Sequence, residues 1–101
     1  MDILLRIKSL IVRRQYRFTV KAADEMELDD LNEEDVLESI LGAIRISKTL
    51  RSTVRQGERL YVIESRSYQG KLIYSKGTIR REEGQDIYYI FVSAKRSRFS
   101  E

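Results

Sequence analysis

The stretch that decides the fold is RLYVIESRSYQGKLIYSKGTIRREEGQDIYYIFVSAK, residues 59–95 of a chain of 101 residues. It holds three runs rich in β-branched and aromatic residues, in which apolar and polar side chains alternate with a period of two. Short segments around Gly70 and Gly84 separate the runs and have the composition of hairpin turns. The pattern therefore predicts three consecutive antiparallel strands.

Upstream of this stretch, the chain predicts one more strand and three helices. ISKTLRS at residues 46–52 repeats the alternation and is followed by a turn signal, which indicates a fourth strand. In residues 2–14 the apolar side chains recur at helical spacing, a second short helix begins near Thr19, and Asn32 is placed to cap a third. The predicted buried stripe of the third helix comprises Val36, Leu37, Ile40, Leu41 and Ile44.

Helices gathered in the first part of the chain and hairpins in the second predict an α+β fold. We expect two or three N-terminal helices on one face of a four-stranded antiparallel sheet, because parallel crossovers would need helices between the strands. The length is that of a single domain, with a helical part at residues 2–44 and a sheet part at residues 45–96. The sheet face opposite the helices is then available for a site.

The composition restricts the chemistry that the chain can perform. It contains no cysteine and no histidine, which excludes thiolate nucleophiles, disulfides, imidazole acid–base catalysis and the usual zinc sites. Adjacent carboxylates such as Asp29 and Asp30 lack a second ligand cluster, so no metal or other cofactor is expected. The first fifteen residues fit neither a signal peptide nor a membrane span, because charges interrupt their apolar stretch. We therefore expect a cytoplasmic protein without a membrane partner.

Charge is strongly segregated along the chain. Residues 1–21 carry a net charge of +5 and residues 45–101 carry +7, whereas residues 22–44 contain nine acidic and no basic residues. A positive surface of this size attracts phosphate-bearing partners, and the acidic segment either repels them or binds a basic protein. Both kinds of segment can also be simple solvated faces, and charge alone does not decide between these interpretations.

Three of the predicted strands carry a lysine within or at the end of an apolar or aromatic series. In the first strand Lys48 takes a position where strict alternation would put an aliphatic residue. In the third strand Tyr74 and Lys76 share one phase, and in the last strand an aromatic series ends at Lys95. If these strands are neighbours, the lysines and Tyr74 converge at one end of the sheet. The alternative is that the lysines protect the sheet edges against aggregation and that the tyrosine ring packs in the core with its hydroxyl exposed to solvent.

The order of the segments resembles that of a known family. A helix is followed by YRFTVKAADEM at residues 16–26, by DEMELDDLNEEDVLESILG at residues 24–42 and then by the strands. This arrangement is similar to a family of small bacterial domains related to the MqsR toxins, within the RelE-like group of ribonucleases. The likeness covers nearly the whole chain, and its most specific part is residues 24–42, which resemble the helix-turn-helix segment of MqsR.

The resemblance implies a toxin of a toxin–antitoxin pair, which cleaves mRNA without a metal ion. Motif by motif, the lysines and the tyrosine of the family's catalytic site correspond to Lys48, Tyr74 and Lys95. The resemblance also implies a cognate antitoxin that binds zinc and DNA. The family has a glutamine near the start of the second strand, whereas this chain has ERLYVI at residues 58–63.

These observations lead to one mechanistic hypothesis and two alternatives. Lys48 and Lys95 would hold the scissile phosphate of RNA while Tyr74 donates a proton to the departing oxygen. Further contacts with RNA are expected from Arg51, Arg59, Tyr61, Lys76 and Arg96. The alternatives are a non-catalytic module that binds RNA or a protein, and a degenerate toxin that retains only antitoxin binding. Each of these interpretations leaves a homodimer open.

Overall fold

Three helices and five strands are formed within residues 2–82, 84 and 86–98, which are the residues that the computed structural model describes. The helices are α1 (Ile3–Val12), α2 (Val20–Leu28) and α3 (Glu33–Leu41). The strands are β1 (Tyr16–Phe18), β2 (Lys48–Arg51), β3 (Arg59–Arg66), β4 (Leu72–Glu82) and β5 (Asp86–Arg96). The predicted α+β class is confirmed, and none of the described helices is long and apolar enough to cross a membrane.

Each helix begins where a short polar side chain accepts a hydrogen bond from a backbone N–H group. The Asp2 carboxylate caps α1, and the Thr19 hydroxyl caps α2 as the sequence predicts. At the start of α3, Asn32 and Asp35 form a reciprocal capping box with hydrogen bonds of 2.8 and 3.1 Å. The caps at Thr19 and Asn32 confirm the predicted starts of the second and third helices.

The C-terminal end of α3 differs from the prediction. The helix ends just before Gly42, and Ile44 is 87% exposed instead of buried. The Nζ of Lys8 donates a hydrogen bond of 2.6 Å to the carbonyl of Ala43, which holds the first residues after the helix against α1. A residue beyond the last turn no longer follows the 3.6-residue period, so the buried stripe stops before Ile44.

The sheet has five strands in the order β1-β5-β4-β3-β2, and the prediction of four antiparallel strands is therefore wrong in one respect. The strands β2 to β5 pair antiparallel as expected, but β1 pairs in parallel with β5, so the sheet is mixed. Phe18 of β1 lies opposite Phe91, and their rings stack with centroids 4.4 Å apart. Tyr16 and Phe18 alternate with Arg17, but one such repeat is too short to predict a strand, which is why the part predicted as helical, residues 2–44, contains β1.

Alternation along the strands gives the sheet two unlike faces. The helix face, which carries Ile63, Ile73 and Phe91, packs against apolar residues of all three helices in one core. The opposite face, here called the open face, carries two rows of cross-strand neighbours. The first row is Glu64, Tyr74 and Lys95, and the second row is Lys48, Val62, Lys76 and Ser93.

The helix α2 covers the part of the β5 edge that lies beyond β1. Glu25 lies on α2, and Asp29, the residue that caps its C-terminal end, follows one helical turn later. Their carboxylates accept hydrogen bonds from the backbone N–H groups of Ala94, at 3.1 Å, and Arg96, at 2.8 Å. One helical turn is about as long as two residues of a strand. The two carboxylates are therefore spaced to accept the hydrogen bonds that the carbonyl groups of a neighbouring strand would otherwise accept. This part of the acidic segment serves the fold, and it fixes the backbone on both sides of Lys95.

The helix face also buries a tyrosine without a hydrogen bond. The side chain of Tyr89 is fully buried, and its hydroxyl has no hydrogen-bond partner in the described part of the chain. Burial, with a smaller contribution from Tyr61, raises the pKa of the Tyr89 hydroxyl far above its ordinary value. The Tyr89 ring packs on Gly77, where a Cβ atom would lie only 2.6 Å from the ring Cζ. A bulge between Lys76 and Gly77 accompanies this close approach.

Candidate functional site

A cleft with a volume of about 370 Å³ lies on the open face, beside the two cross-strand rows. It is lined by Ser47, Lys48, Val62, Glu64, Tyr74, Lys95, Arg96, Ser97 and Arg98. The strand register explains this assembly, because β2, β3, β4 and β5 each bring a residue of one of the two adjacent rows to the cleft. The three residues that the sequence predicts as catalytic, Lys48, Tyr74 and Lys95, therefore border one cleft.

Tyr74 lies in the middle strand of the cleft and keeps its proton at neutral pH. Its side chain is partly buried, and the Nζ of Lys95 lies 5.6 Å from the centroid of its ring. Burial raises the pKa of the Tyr74 hydroxyl above its ordinary value, and the negative charges of Glu64 and Glu25 add to this shift while Lys21 opposes it. The Tyr74 hydroxyl is therefore a proton donor at the pH of a cell.

The two lysines supply positive charge to opposite sides of the cleft. Lys48 is exposed on the edge strand β2, across from the buried side chain of Val62. Lys95 is partly buried, on the strand that α2 holds through its two carboxylates. Among the described residues, neither Lys48 nor Lys95 takes part in a salt bridge. Both ammonium groups are therefore available to an anionic ligand.

Glu64 is a functional candidate that the sequence analysis misses. It stands across from Tyr74 in the first row, and its Oε2 accepts a hydrogen bond of 2.9 Å from the hydroxyl of Ser97. No other carboxylate lines the cleft in the described part of the chain. A signal for it exists, because Glu64 continues the phase of Leu60 and Val62, just as Lys48 interrupts an apolar phase in its own strand.

A second carboxylate, that of Glu25, lies beside the cleft and is held by hydrogen bonds within the protein. It accepts hydrogen bonds from the hydroxyl of Ser93 at 2.6 Å, from the N–H of Ala94 at 3.1 Å and from the Nζ of Lys21 at 3.0 Å. Partial burial acts to raise the pKa of the Glu25 carboxyl, but these hydrogen bonds outweigh it, and the pKa lies below its ordinary value. Glu25 therefore stays ionised and positions β5.

The arginines at the rim of the cleft are partly engaged by α2. The Nε of Arg96 donates a hydrogen bond of 3.3 Å to the carbonyl of Asp29, and a guanidinium nitrogen of Arg98 lies 3.6 Å from the Asp29 carboxylate. Arg98 is exposed, so this ion pair is weak in water. Arg96, predicted to bind RNA, lines the cleft, but it stands across from Ile73 in the phase of the helix face, and its guanidinium is held at the Asp29 carbonyl beside α2.

The other predicted RNA-binding residues do not line this cleft. Lys76 lies on the same face, in the second row between Val62 and Ser93. Arg59 and Tyr61 border a different cleft of about 340 Å³, which also includes Arg6 and Arg81. Arg51 borders a third cleft together with Arg59. The predicted RNA-binding residues therefore do not form one surface. Arg59 and Tyr61 have the opposite strand phase to Val62 and Glu64, so their side chains project from the helix face of the sheet.

Comparison of the chain with protein-family profiles, curated proteins and solved structures returns no match. The site is therefore interpreted from its own geometry and chemistry. Among the described residues, no three carboxylates lie close enough together to hold a metal ion. The arrangement offers two ammonium groups, one protonated phenol and one carboxylate around a space that can hold a phosphodiester.

Proposed function

We propose that this protein is an endoribonuclease of the toxin type, which cleaves single-stranded mRNA without a metal ion. The observation that supports the proposal is the cleft in which Lys48, Tyr74 and Lys95 meet from three different strands. Two ammonium groups that make no salt bridge with the described residues lie beside a protonated phenol, and they suit the chemistry of a phosphodiester better than that of a neutral substrate.

The reaction that fits these groups begins with attack of a ribose 2′-hydroxyl on the adjacent phosphorus atom. Lys48 and Lys95 stabilise the negative charge that develops on the phosphorane oxygens. Tyr74 donates its proton to the departing 5′-oxygen, which is more basic than the phenolate. The products are a 2′,3′-cyclic phosphate and a 5′-hydroxyl end.

The partners follow from the same proposal. RNA binds through its phosphates, with Lys76 extending the contact on the open face and affinity falling as salt rises. In this proposal the protein acts in the cytoplasm and is neutralised by a cognate antitoxin, a zinc-binding and DNA-binding protein. A homodimer is compatible with this function and is not required by it.

The test is cleavage of single-stranded RNA by the purified protein in the presence of a chelator. We expect products with a cyclic phosphate, and each of Lys48→Ala, Tyr74→Phe and Lys95→Ala should lower the rate by about 10²- to 10³-fold. Arg13→Ala is the matched control, because Arg13 is an exposed cation at the end of α1 and does not line the cleft. Intact RNA with the wild-type protein, or equal rates for all the variants, would contradict the proposal.

A second candidate, a non-catalytic RNA-binding module, is favoured by the cleft at Arg6, Arg59 and Arg81. Its three guanidinium groups suit phosphates, and no lysine lines it beside Tyr61 in the described part of the chain. Salt-sensitive binding of intact RNA that Arg59→Ala weakens and Lys48→Ala does not would favour this candidate.

A further inference from the structure

The strand register places Glu64 and Tyr74 side by side on one face, with Lys95 on the other side of Tyr74. A carboxylate, a phenol and an ammonium group thus form one straight row across β3, β4 and β5. Metal-free cleavage of RNA needs a proton acceptor at one end of the reacting phosphate and a proton donor at the other. A chain without histidine has to find its acceptor among carboxylates, a neutral lysine or a phenolate.

The described carboxylates near the cleft differ in how many donors they already serve. Glu25 accepts three hydrogen bonds, from Ser93, Ala94 and Lys21, and its carboxylate is held in the edge of the sheet. From the described residues, Glu64 accepts one side-chain hydrogen bond, which the Ser97 hydroxyl donates to its Oε2. A carboxylate can accept about four hydrogen bonds, so Glu64 retains capacity for a ligand hydroxyl.

We infer that Glu64 recognises the 2′-hydroxyl of the ribose next to the scissile phosphate and is the general base of the reaction. The inference rests on the proposed ribonuclease function and deepens it, because it states how the cleft selects RNA over DNA. The 2′-hydroxyl is the one group of the sugar that separates the two substrates. Ser97 is a positioning residue, which holds the Glu64 carboxylate through its hydroxyl.

Residues of this chain alone can accept and donate the protons that the reaction moves. The Glu64 carboxylate takes the proton of the 2′-hydroxyl while the oxygen of that hydroxyl forms a bond to phosphorus. The bond between phosphorus and the 5′-oxygen breaks, and Tyr74 transfers its proton to that oxygen. Glu64 ends protonated and Tyr74 ends as a phenolate, and exchange of one proton with water restores both groups.

The first experiment measures binding and does not require turnover. In a Tyr74→Phe background, affinity is measured for two single-stranded oligonucleotides that differ only in having ribose or 2′-deoxyribose at every position. We expect the ribose form to bind about tenfold more tightly, as for one hydrogen bond to a charged group. Glu64→Leu should abolish this ratio. A carboxylate that acts only by repelling phosphates would change both affinities equally and leave the ratio unchanged, which would overturn the inference.

The second experiment changes the leaving group of the substrate, and so distinguishes the role of general base from that of general acid. Glu64→Gln should lower kcat by about 10²- to 10³-fold with little change in KM, and Glu64→Asp should restore part of the rate. A substrate with sulfur in place of the 5′-oxygen needs no proton on its leaving group. On that substrate Tyr74→Phe should regain most of its rate, whereas Glu64→Gln should stay slow.

The outcomes separate the inference from the function on which it rests. If the wild-type protein cleaves RNA and Glu64→Gln is equally fast, the inference is wrong and the ribonuclease stands. If no RNA is cleaved but the ribose preference is present and depends on Glu64, the ribonuclease is wrong and recognition of the 2′-hydroxyl by Glu64 is supported. If no RNA is cleaved and no ribose preference exists, both are wrong. Melting curves of each variant show that the fold is intact.

Discussion

The two faces of the sheet each carry a tyrosine near their middle, and the two tyrosines have opposite surroundings. Tyr89 on the helix face is fully buried, and its hydroxyl has no hydrogen-bond partner among the described residues. Tyr74 on the open face is partly buried, lies under the ammonium group of Lys95 and borders the cleft. The helix face thus packs a hydroxyl that has no partner among the described residues, whereas the open face presents the Tyr74 side chain to the cleft.

Charged groups beside the cleft also differ from those on the helical side. Asp35 on the helical side is buried and paired with Lys71, and Glu25 is engaged by three donors. On the open face Lys48 and Lys95 make no salt bridge in the described part of the chain. We therefore expect substitutions on the helical side to change stability, and substitutions on the open face to change function.

The largest effect on stability is expected from Gly77→Ala. The new Cβ would lie 2.6 Å from the Tyr89 ring and 2.7 Å from the carbonyl oxygen of Ile90, so both would have to move. Overpacking against a ring and a backbone atom should lower the free energy of unfolding by about 3 kcal/mol, measured by urea denaturation. The matched control is Gly42→Ala, because its Cβ would make only an ordinary contact 3.5 Å from the Glu38 carbonyl oxygen. Equal stability of the two variants would show that the helix face is not tightly packed at Gly77.

A smaller effect is expected from Asp35→Asn, and it should depend on pH. Burial acts to raise the pKa of the Asp35 carboxyl, but hydrogen bonds from the Asn32 N–H and Lys71 outweigh it and leave the pKa below its ordinary value. The unfolded chain therefore binds this proton first, so the stabilisation is present above about pH 4 and is lost as the pH falls through the lowered pKa.

At neutral pH the Asp35→Asn variant should lose about 1–2 kcal/mol of unfolding free energy, as for a lost helix cap. Its stability should also fall less steeply than that of the wild type in acid, because part of the proton uptake on unfolding is removed. Glu34→Gln is the control, since Glu34 is exposed in the same turn of α3. An unchanged acid slope in Asp35→Asn would contradict the structural role of this carboxylate.

Tyr89→Phe should have a still smaller effect, and it should be stabilising. The substitution removes a buried hydroxyl that has no partner among the described residues and leaves the ring in place. Relief of the desolvation cost should raise the free energy of unfolding by about 1 kcal/mol, which thermal denaturation can measure. A decrease in stability would mean that the hydroxyl is satisfied in solution by a bound water, and the surroundings of the two tyrosines would then be less different.

The sequence predicts the three helices and the strands β2 to β5 and misses the three-residue strand β1. Strands β3 to β5 and the caps at Thr19 and Asn32 follow from alternation and from local hydrogen bonding, which are properties of neighbouring residues. The strand β1 depends on the stacking of Phe18 on Phe91, a contact between residues far apart in the chain. Long-range contacts of this kind leave no periodic signal.

The cleft is partly predictable for the same reason. Breaks in alternation single out Lys48, Tyr74 and Lys95 because each occurs within one strand, and the register then brings them together. The register itself depends on the geometry of the turns and on the bulge at Gly77. The sequence predicts where the turns lie but not this geometry or the bulge. Arg59 does not join the same surface, because its strand phase directs its side chain to the other side of the sheet.

The smallest effect on stability is expected from Lys48→Ala, and this substitution tests the open face. Lys48 is exposed on an edge strand, so the free energy of unfolding should change by less than about 0.5 kcal/mol. The substitution also removes one positive charge from a cleft with four basic residues and one acidic residue, and this relief of repulsion offsets any packing of the lysine stem on Val62. Lys8→Ala is the matched comparison on the helical side, because it removes the hydrogen bond to the Ala43 carbonyl and should cost about 1 kcal/mol. If urea denaturation instead shows that Lys48→Ala is the more damaging of the two, the ammonium group of Lys48 belongs to the fold, and the division between a packed face and a functional face is wrong.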